Sequence, residues 1–384
     1  YCYISYYIIL IIGLSACKIT FMSTPLDSNF QAMGMTFKKR LGCGTFGMVT
    51  LVEDAATGDE KVLKTIRDID MDSGMTKMVA REITILDALN HKNILNLHAL
   101  HLNDNVVYLV TEFVPFTLHS LAYPDTSSEA MCRFLLNNRM IYLRILYQML
   151  DACSYMHLLG VIHRDIKPAN VLIDSNFTVK LCDFGFARAI GYSGINDVLN
   201  EDILTEYTVT RWYRAPEIVL NPGKYGKEQD IWSIACTFAE LIKRIPLFRG
   251  DDTLHQIQVI IDIMGKPCGE DMEFEMNPNC RAYLNKMMEK KGGKNLEMLI
   301  RPCTRAIHDD LWFLLKDLLR FNPKLRLTAE NAMKLPIFKA IRLHMGSTTR
   351  PSTHLDSRVH ELNLMDKVVS KRNLLTAMQR TVAY

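Results

Sequence analysis

The first part of the chain alternates apolar and polar residues in short runs that predict a small sheet. Between residues 37 and 66, runs of β-type residues are separated by turn signals at residues 42–47 and 56–59. Residues 76–89 instead carry apolar side chains at helical spacing, and residues 105–114 return to a strand-like pattern. The pattern therefore predicts a mainly β-sheet region that contains one helix.

From Arg139 onward the apolar positions follow the period of a helix. Long helical patterns cover residues 140–160, 229–244 and 309–320. A small β-rich lobe before a larger helical lobe is the predicted architecture, of the α+β class, with the joint near residues 112–118.

Composition narrows the class of protein. The chain has 384 residues, enough for two domains of ordinary size, and 48% of them are hydrophobic and 23% charged. A formal net charge of +3 gives no support to a nucleic-acid-binding protein, which would carry a basic stripe or a much higher charge. The ten cysteines are scattered without zinc-site spacing, as expected of reduced intracellular thiols.

The first 17 residues form an apolar run with more than one interpretation. Such a run suits a signal-peptide core or a short membrane anchor, but no basic residue precedes it and the first methionine is Met22. We interpret it as an upstream extension or a gene-model artefact, with a membrane anchor as the alternative. Residues 23–36 are polar and contain Gly and Pro, which predicts a linker.

Residues 41–49, Leu-Gly-Cys-Gly-Thr-Phe-Gly-Met-Val, fit the pattern G-x-G-x-x-G-x-V. Glycines at Gly42, Gly44 and Gly47 would let backbone N–H groups approach phosphate oxygens without an intervening side chain. Dinucleotide-binding folds use the same glycines, but there a helix follows. Here residues 48–52 continue as a strand, which favours a hairpin lid over phosphates.

A lysine and a glutamate downstream could serve the same phosphates. Lys64 lies between apolar neighbours in a predicted strand and is the candidate to hold phosphate; otherwise it is an ordinary edge-strand lysine. A lysine in a partly buried cleft needs an oppositely charged partner. Glu82, on the predicted helix, can supply that charge.

The densest cluster of chemistry-bearing residues is Val-Ile-His-Arg-Asp-Ile-Lys-Pro-Ala-Asn-Val-Leu, residues 161–172, followed by Asp183-Phe184-Gly185. Phosphoryl transfer needs a carboxylate to orient the hydroxyl and accept its proton, oxygen ligands for Mg²⁺, and positive charge at the transferring phosphate. Asp165 can supply the first of these, and Lys167 the last. Asn170 and Asp183 can supply the metal ligands.

Together with Ala215-Pro216-Glu217, these motifs resemble those of the eukaryotic protein kinases, over about residues 37–340. The joint set of motifs is highly specific. The resemblance implies the bilobal kinase fold, ATP bound between the lobes, and transfer of its γ-phosphate to Ser or Thr. The implied domain spans residues 35–340, with a small lobe at about 35–113 and a large lobe at about 118–340, between extensions at 1–34 and 341–384.

Carried over by motif, the resemblance assigns the catalytic roles. Asp165 would be the catalytic base, and Asn170 and Asp183 would hold Mg²⁺. Lys64, paired with Glu82, would hold the α- and β-phosphates of ATP.

The resemblance also implies an adenine pocket. Thr111 would be a small gatekeeper behind adenine, and Glu112 and Val114 would offer hinge backbone to the base. The other implied ATP contacts are Leu41, Gly42, Cys43, Gly44, Thr45, Phe46, Gly47, Met48, Val49 and Leu172. Ile166 and Val62 depart from the commoner Leu and Ala, but each exchanges one apolar residue for another and should not silence the enzyme.

Residues 204–217, Leu-Thr-Glu-Tyr-Thr-Val-Thr-Arg-Trp-Tyr-Arg-Ala-Pro-Glu, are similar to the activation segment of the mitogen-activated protein (MAP) kinases, in the T-E-Y form of the extracellular-signal-regulated type. The similarity implies phosphorylation of Thr205 and Tyr207. Each phosphate adds close to two negative charges, and arginine binds phosphate in a bidentate way. The arginines placed by motif are Arg81, Arg164 and Arg188 for phospho-Thr205, and Arg211 and Arg214 for phospho-Tyr207. Because Arg81 precedes Glu82 on one predicted helix, phosphorylation would be coupled to the Lys64–Glu82 pair.

Further residues favour the MAP kinase branch, and one stretch departs from it. Residues 281–284 and 321–328 resemble MAP kinase elements, and Asp230 is expected to brace the backbone of the His-Arg-Asp loop. Trp212 and Tyr213 are expected to pack and so anchor the segment. MAP kinases usually carry an acidic docking cluster after the last core helix, where residues 338–350 are basic and polar, so docking by the usual charge pairing is in question.

The implied partners are protein substrates with Ser/Thr-Pro sites, an upstream dual-specificity kinase and phosphatases. Neither nucleic acid nor membrane is expected, and the implied location is the cytoplasm, the nucleus or both. The alternatives are a related T-x-Y kinase of the cyclin-dependent-like or male-germ-cell-associated group, a catalytically inactive scaffold, and a membrane-anchored receptor kinase that rests only on residues 1–17.

Overall fold

The structure is a computed structural model that describes most of the chain. The described residues are 18–21, 30–31, 33–44, 47–67, 74–103, 106–125, 129, 132, 138–189, 210–221, 226–288 and 309–345. They form a strand-rich first part and a helix-rich second part, in the order that the sequence predicts.

The first part is built on one six-stranded sheet. Its strands are β1 (Lys18–Phe21), β2 (Met35–Gly44), β3 (Gly47–Asp54), β4 (Glu60–Ile66), β5 (Leu97–Asn103) and β6 (Val106–Glu112). Their order across the sheet is β1-β5-β6-β4-β3-β2. Neighbours from β5 to β2 pair antiparallel, whereas β1 adds to the edge in parallel with β5, with Lys18 opposite Ala99.

Helix α1 (Gly74–Ala88) confirms the helix predicted over residues 76–89 and shares a core with one face of the sheet. Ile83 of α1 belongs to the same buried cluster as Leu109 of β6. The neighbouring residues in the strands, such as Tyr108 and Leu63, form a separate cluster, because successive side chains of a strand point to opposite faces.

The apolar pattern does not predict β5, and the structure shows why. A bulge between Leu97 and Ala99 shifts the pairing register by one residue. Leu97, Leu100 and His101 are all buried, so the strict alternation that marks a strand is lost.

The second part is helical. Its helices are α2 (Leu118–Ala122), α3 (Arg139–Leu158), α4 (Pro216–Leu220), α5 (Glu228–Lys243), α6 (Thr253–Met264), α7 (Pro278–Met288), α8 (Asp309–Leu318), α9 (Ala329–Lys334) and α10 (Lys339–Met345). Helices α3 and α5 are buried along most of their length, which agrees with their high share of apolar residues. Trp232 and Phe238 of α5 are fully buried, and each such side chain stabilises the lobe by about 1.5–3 kcal/mol.

Five short strands hold the loops that carry the candidate chemistry. They are β7 (Phe116–Thr117), β8 (Val161–Ile162), β9 (Val171–Ile173), β10 (Val179–Leu181) and β11 (Arg188–Ala189). They pair in the orders β10-β9-β7 and β11-β8. The loops over residues 163–170 and 182–187 are therefore fixed at both ends by strand pairing.

Within the described residues, no helix combines the length and the apolar character that a bilayer crossing requires. The apolar run at residues 1–17 lies outside the described residues.

Candidate active site

The glycine-rich turn is a hairpin, as predicted. Gly42 pairs with Val49, and Gly44 pairs with Gly47, so that β2 continues directly into β3. Gly47 has φ +156°, and a Cβ added there would lie 2.1 Å from the Thr65 carbonyl oxygen of β4. Only glycine allows this close approach of two backbones. Thr45 and Phe46, which follow Gly44 in the sequence, lie outside the described residues.

The predicted Lys64–Glu82 pair is formed. Lys64 lies on β4 between β3 and β6, and its Nζ donates to both carboxylate oxygens of Glu82 on α1, at 2.7 and 2.9 Å. Burial lowers the pKa of Lys64, but Glu82 and Asp183 oppose this effect and hold the pKa above its usual value. The lysine is therefore charged although its side chain is largely buried.

Asp230 of α5 braces the loop over residues 163–170, as predicted. Its Oδ2 accepts the backbone N–H of His163 and its Oδ1 that of Arg164, both at 2.9 Å. Arg164 has φ +70°, which is uncommon for a non-glycine residue and marks local strain. Burial raises the pKa of Asp230, but hydrogen bonds from His157 and from the loop outweigh it and leave the pKa below its usual value.

The carboxylate of Asp165 is buried and held by two side chains of its own loop. Its Oδ2 accepts from Lys167 Nζ at 2.7 Å and from Asn170 Nδ2 at 2.9 Å. Burial raises the pKa of Asp165, and the Lys167 ammonium opposes that rise. The arrangement leaves a carboxylate with raised basicity at a fixed position, which is what proton acceptance requires.

Asp183 occupies the strained turn of the second loop. Its φ is +65°, and its Oδ1 is buried, accepts no hydrogen bond from the described residues and lies 3.7 Å from Lys64 Nζ. Because Asn170 Nδ2 is directed at Asp165, the amide oxygen of Asn170 is the atom of that side chain suited to a metal. A carboxylate and an amide oxygen are ligands that Mg²⁺ accepts, so these residues fit the ion.

His163 ties the two loops together. Its Nε2 donates to the Cys182 carbonyl at 3.1 Å, while its Nδ1 accepts the backbone N–H of Asp165 at 3.3 Å. Its ring also packs against Phe184, with centroids 4.7 Å apart. The positions of Asp165 and Asp183 are thereby linked.

The predicted adenine end lies where the two parts of the chain meet. Thr111 is buried at the end of β6, Glu112 is the last residue of that strand, and Leu172 lies on β9 in the helical part. The carboxylate of Glu112 also makes contacts that the sequence does not predict. It accepts from Lys180 Nζ at 2.7 Å and from the Asn96 backbone N–H at 2.9 Å.

Trp212 and Tyr213 pack as predicted and anchor the segment that precedes α4. Trp212 Nε1 donates to the Gly250 carbonyl at 3.1 Å, and Tyr213 Oη donates to Glu240 of α5 at 2.7 Å. Arg211 Nη1 donates to the Asp251 carbonyl at 2.8 Å, on the same loop as Gly250. The segment is thus fixed to the loop after α5.

The predicted phosphate switch falls largely outside the described residues. Thr205 and Tyr207 are not among the described residues, and nothing is described of the Arg81 side chain. Arg164 is buried, and Arg188 Nη1 donates to the carbonyls of Phe186 and Ala187. Arg214 lies directly after the turn formed by residues 211–213. Convergence of the five arginines on two phosphates stays a prediction.

Two buried partners of motif residues are not predicted. Arg326 binds both carboxylate oxygens of Glu217, at 2.6 and 2.9 Å, and Glu240 accepts from Tyr123 as well as from Tyr213. Arg326 lies in the segment 321–328 that resembles MAP kinases, and this position in a motif is the feature of the sequence that could have indicated its role. The sequence around Glu240 gives no indication of its two tyrosine partners, because the residue lies within the mainly apolar pattern of helix α5.

Comparison with known proteins agrees with this geometry. The family model for the protein kinase domain matches residues 35–338. The chain is 34% identical over 310 residues to extracellular signal-regulated kinase 1 of Dictyostelium discoideum, an alignment that covers 79% of this chain and 54% of that protein. It is 35% identical over 313 residues to mitogen-activated protein kinase 5 of Oryza sativa subsp. indica, covering 79% and 77%. It is 36% identical over 302 residues to extracellular signal-regulated kinase 2 of D. discoideum, covering 78% and 77%.

The chain therefore belongs to the protein kinase family, and within it to the MAP kinases, which are serine/threonine protein kinases. This confirms the resemblance drawn from the motifs and the predicted bilobal α+β fold.

Proposed function

We propose that this MAP kinase transfers the γ-phosphate of ATP to Ser or Thr residues that precede Pro, and that phosphorylation of Thr205 and Tyr207 activates it. The observation that carries the catalytic part is the formed Lys64–Glu82 pair, with Lys64 Nζ 3.7 Å from Asp183 Oδ1. The proline preference and the activation step are supported by the T-E-Y sequence and by the similarity to MAP kinases.

The loop residues divide the chemistry among them. The substrate hydroxyl oxygen attacks the γ-phosphorus, the bond to the bridging oxygen of ADP breaks, and Asp165 accepts the hydroxyl proton. Lys167, 2.7 Å from Asp165, offers positive charge to the transferring phosphoryl group. Asn170 and Asp183 would hold Mg²⁺, which when bound neutralises charge on the phosphates.

The short strands support the phosphate switch at Thr205. Arg188 pairs with Ile162 across β11 and β8, and Arg164 follows Ile162 by two residues. The two arginines therefore come from separate loops that this strand pairing joins. A phosphate on Thr205 that both arginines bound would couple the segment to the catalytic loop.

Single substitutions at the two sites test the activation step. Treatment with a dual-specificity kinase should increase the activity of the unmodified chain. We expect this increase to be at least about 10-fold smaller in Thr205→Ala and in Tyr207→Phe, because each variant lacks one of the two phosphates that would order the segment. Thr208→Ala, which changes the threonine directly after T-E-Y, is the matched control and should keep the gain. Full stimulation of both single variants would contradict the proposed switch.

A further inference from the structure

One carboxylate oxygen at the end of β6 joins the two lobes. Glu112 Oε1 accepts the backbone N–H of Asn96, just before β5 of the small lobe, at 2.9 Å. The same oxygen accepts from Lys180 Nζ, on β10 of the large lobe, at 2.7 Å. We call these three residues, Asn96, Glu112 and Lys180, the hinge tie.

Backbone contacts beside the hinge tie hold the same two segments together. Leu181 N–H donates to the Asn93 carbonyl and Leu95 N–H donates to the Leu181 carbonyl, both at 2.9 Å. Asn93 Nδ2 also donates to the Val179 carbonyl at 2.7 Å and to Gln148 Oε1 at 2.9 Å. Residues 93–96 are therefore bonded to β10 and to α3, although they lead into the small-lobe sheet.

The hinge tie extends this contact to the strand that enters the hinge. Glu112 is followed by residues 113–115, which connect β6 to β7, and its own backbone pairs with Lys61 of β4. Apart from this side chain, the contacts described for the end of β6 are its pairings within the sheet of the small lobe. With it, β6 is also fixed to β10, whose last residue, Leu181, lies two positions before Asp183.

The pair is protected enough for its charge to matter. The side chains of Lys180 and Glu112 are 19% and 24% exposed, so water screens them less than it screens a pair on the open surface. The second hydrogen bond, from the Asn96 backbone N–H, also fixes the position of the carboxylate, because one oxygen accepts from donors in both lobes.

We propose that Lys180 is a positioning residue for nucleotide binding: through Glu112 it sets the hinge backbone at a fixed distance from the strand that carries Asp183. The proposal rests on the proposed ATP-binding role of the hinge at Glu112 and Val114. ATP would contact both ends of this arrangement, with its base at the hinge and its phosphates at Lys64, which lies beside Asp183. A hinge left free to shift relative to β10 must be ordered when ATP binds, which weakens binding.

The test separates binding of ATP from chemistry. Lys180→Met removes the charge and keeps most of the stem, and we expect KM for ATP to rise several-fold, with kcat within about twofold. Lys180→Arg should restore most of the affinity, because it keeps a donor for Glu112. Lys38→Met is the matched control, since Lys38 pairs with Glu53 within the small-lobe sheet, and it should leave KM unchanged.

Two further readouts keep the outcomes distinct. Direct binding of a fluorescent ATP analogue measures nucleotide affinity even if the enzyme transfers no phosphate. A failure of the proposed function can therefore be distinguished from a failure of the hinge-tie proposal. Amide exchange should quicken at residues 93–97 and 110–115 in Lys180→Met and not in Lys38→Met. If Lys180→Met lowers the Tm but leaves nucleotide affinity unchanged, the proposal is overturned. A rise in kcat of the unphosphorylated Lys180→Met enzyme would also overturn it, because the hinge tie would then restrain activity.

Discussion

The ammonium group of Lys64 lies 2.7 and 2.9 Å from the two carboxylate oxygens of Glu82, so one strand residue joins the sheet of the small lobe to its helix. The same Nζ lies 3.7 Å from Asp183 Oδ1, at the start of the second catalytic loop. The lysine therefore links three elements that must be in register before ATP can be held by both lobes.

Removal of the charge on Glu82 should disable the enzyme without unfolding it. We expect Glu82→Gln to lower kcat/KM by about 100-fold, because Lys64 is then drawn toward Asp183 and away from the phosphates. Glu53→Gln, which changes the partly exposed partner of Lys38, should retain wild-type activity. A phosphate-transfer assay with a peptide substrate checks both variants, and a fall in activity of less than twofold in Glu82→Gln would contradict the role of the pair.

The pH dependence of activity should report Asp165. Its pKa is raised by burial and held down by Lys167, and it must be ionised to accept the hydroxyl proton. Activity should therefore fall as the pH drops through that pKa. Because Lys167→Met removes the opposing charge, the pKa should rise further and the acid limb of the kcat/KM profile should move to higher pH.

The control for this profile is Lys339→Met, which changes an exposed lysine at the start of α10 and should leave the acid limb in place. An acid limb that stays fixed in Lys167→Met, or moves to lower pH, would show that Asp165 is not the group being titrated.

Gly47 and Gly42 should respond very differently to alanine. A Cβ at Gly47 would lie 2.1 Å from the Thr65 carbonyl oxygen, so β3 must separate from β4 beside Lys64. We expect Gly47→Ala to raise KM for ATP by about 10-fold or more, as expected when the hairpin is displaced from the phosphates. Gly42 has nothing within 4 Å of an added Cβ, so Gly42→Ala should leave β3 paired with β4 and should raise KM for ATP less than Gly47→Ala does. Equal effects of the two substitutions would refute the packing argument.

The Glu217–Arg326 pair should be structural. Arg326 binds both oxygens of Glu217, donates to the Glu228 carbonyl at 2.8 Å, and its guanidinium lies 5.1 Å from the Trp232 ring centroid. Arg326→Met leaves a buried carboxylate unpaired and should reduce the free energy of unfolding by about 3–5 kcal/mol. Urea denaturation followed by fluorescence measures this loss.

An exposed pair provides the comparison. Lys334 and Glu330 form an ion pair at 2.7 Å on the surface of α9, with both side chains more than half exposed. Lys334→Met should therefore change the free energy of unfolding by no more than about 1 kcal/mol. A loss in Arg326→Met as small as this one would show that burial does not govern the strength of the Glu217 pair.

The fold and most catalytic groups could be predicted because their signals are local. The glycine hairpin, α1 and the loop at residues 163–170 each follow from residue types at short spacing, and their geometry follows from strand pairing and from the Asp230 brace. The motifs assign Lys64 to a strand and Glu82 to the neighbouring helix. The two charges are then expected to pair, because an unpaired charge is costly to bury.

The contacts that could not be predicted join residues far apart in the chain. Lys180 and Glu112 are 68 positions apart, and Glu217 and Arg326 are 109 apart, so no periodicity relates them. Strand β5 is not predicted by the apolar pattern for another reason, because its bulge breaks the alternation of buried and exposed residues that indicates a strand. Thr205 and Tyr207 remain known only through their sequence.

The most direct test of the whole account is phosphate transfer to a Ser-Pro peptide and to its Ser-Ala twin, before and after phosphatase treatment of the enzyme. The account predicts a clear preference for Ser-Pro and loss of activity after phosphatase, restored by a dual-specificity kinase. Equal use of both peptides would contradict the proline preference. Activity that survives removal of phosphate from Thr205 and Tyr207 would contradict the activation switch.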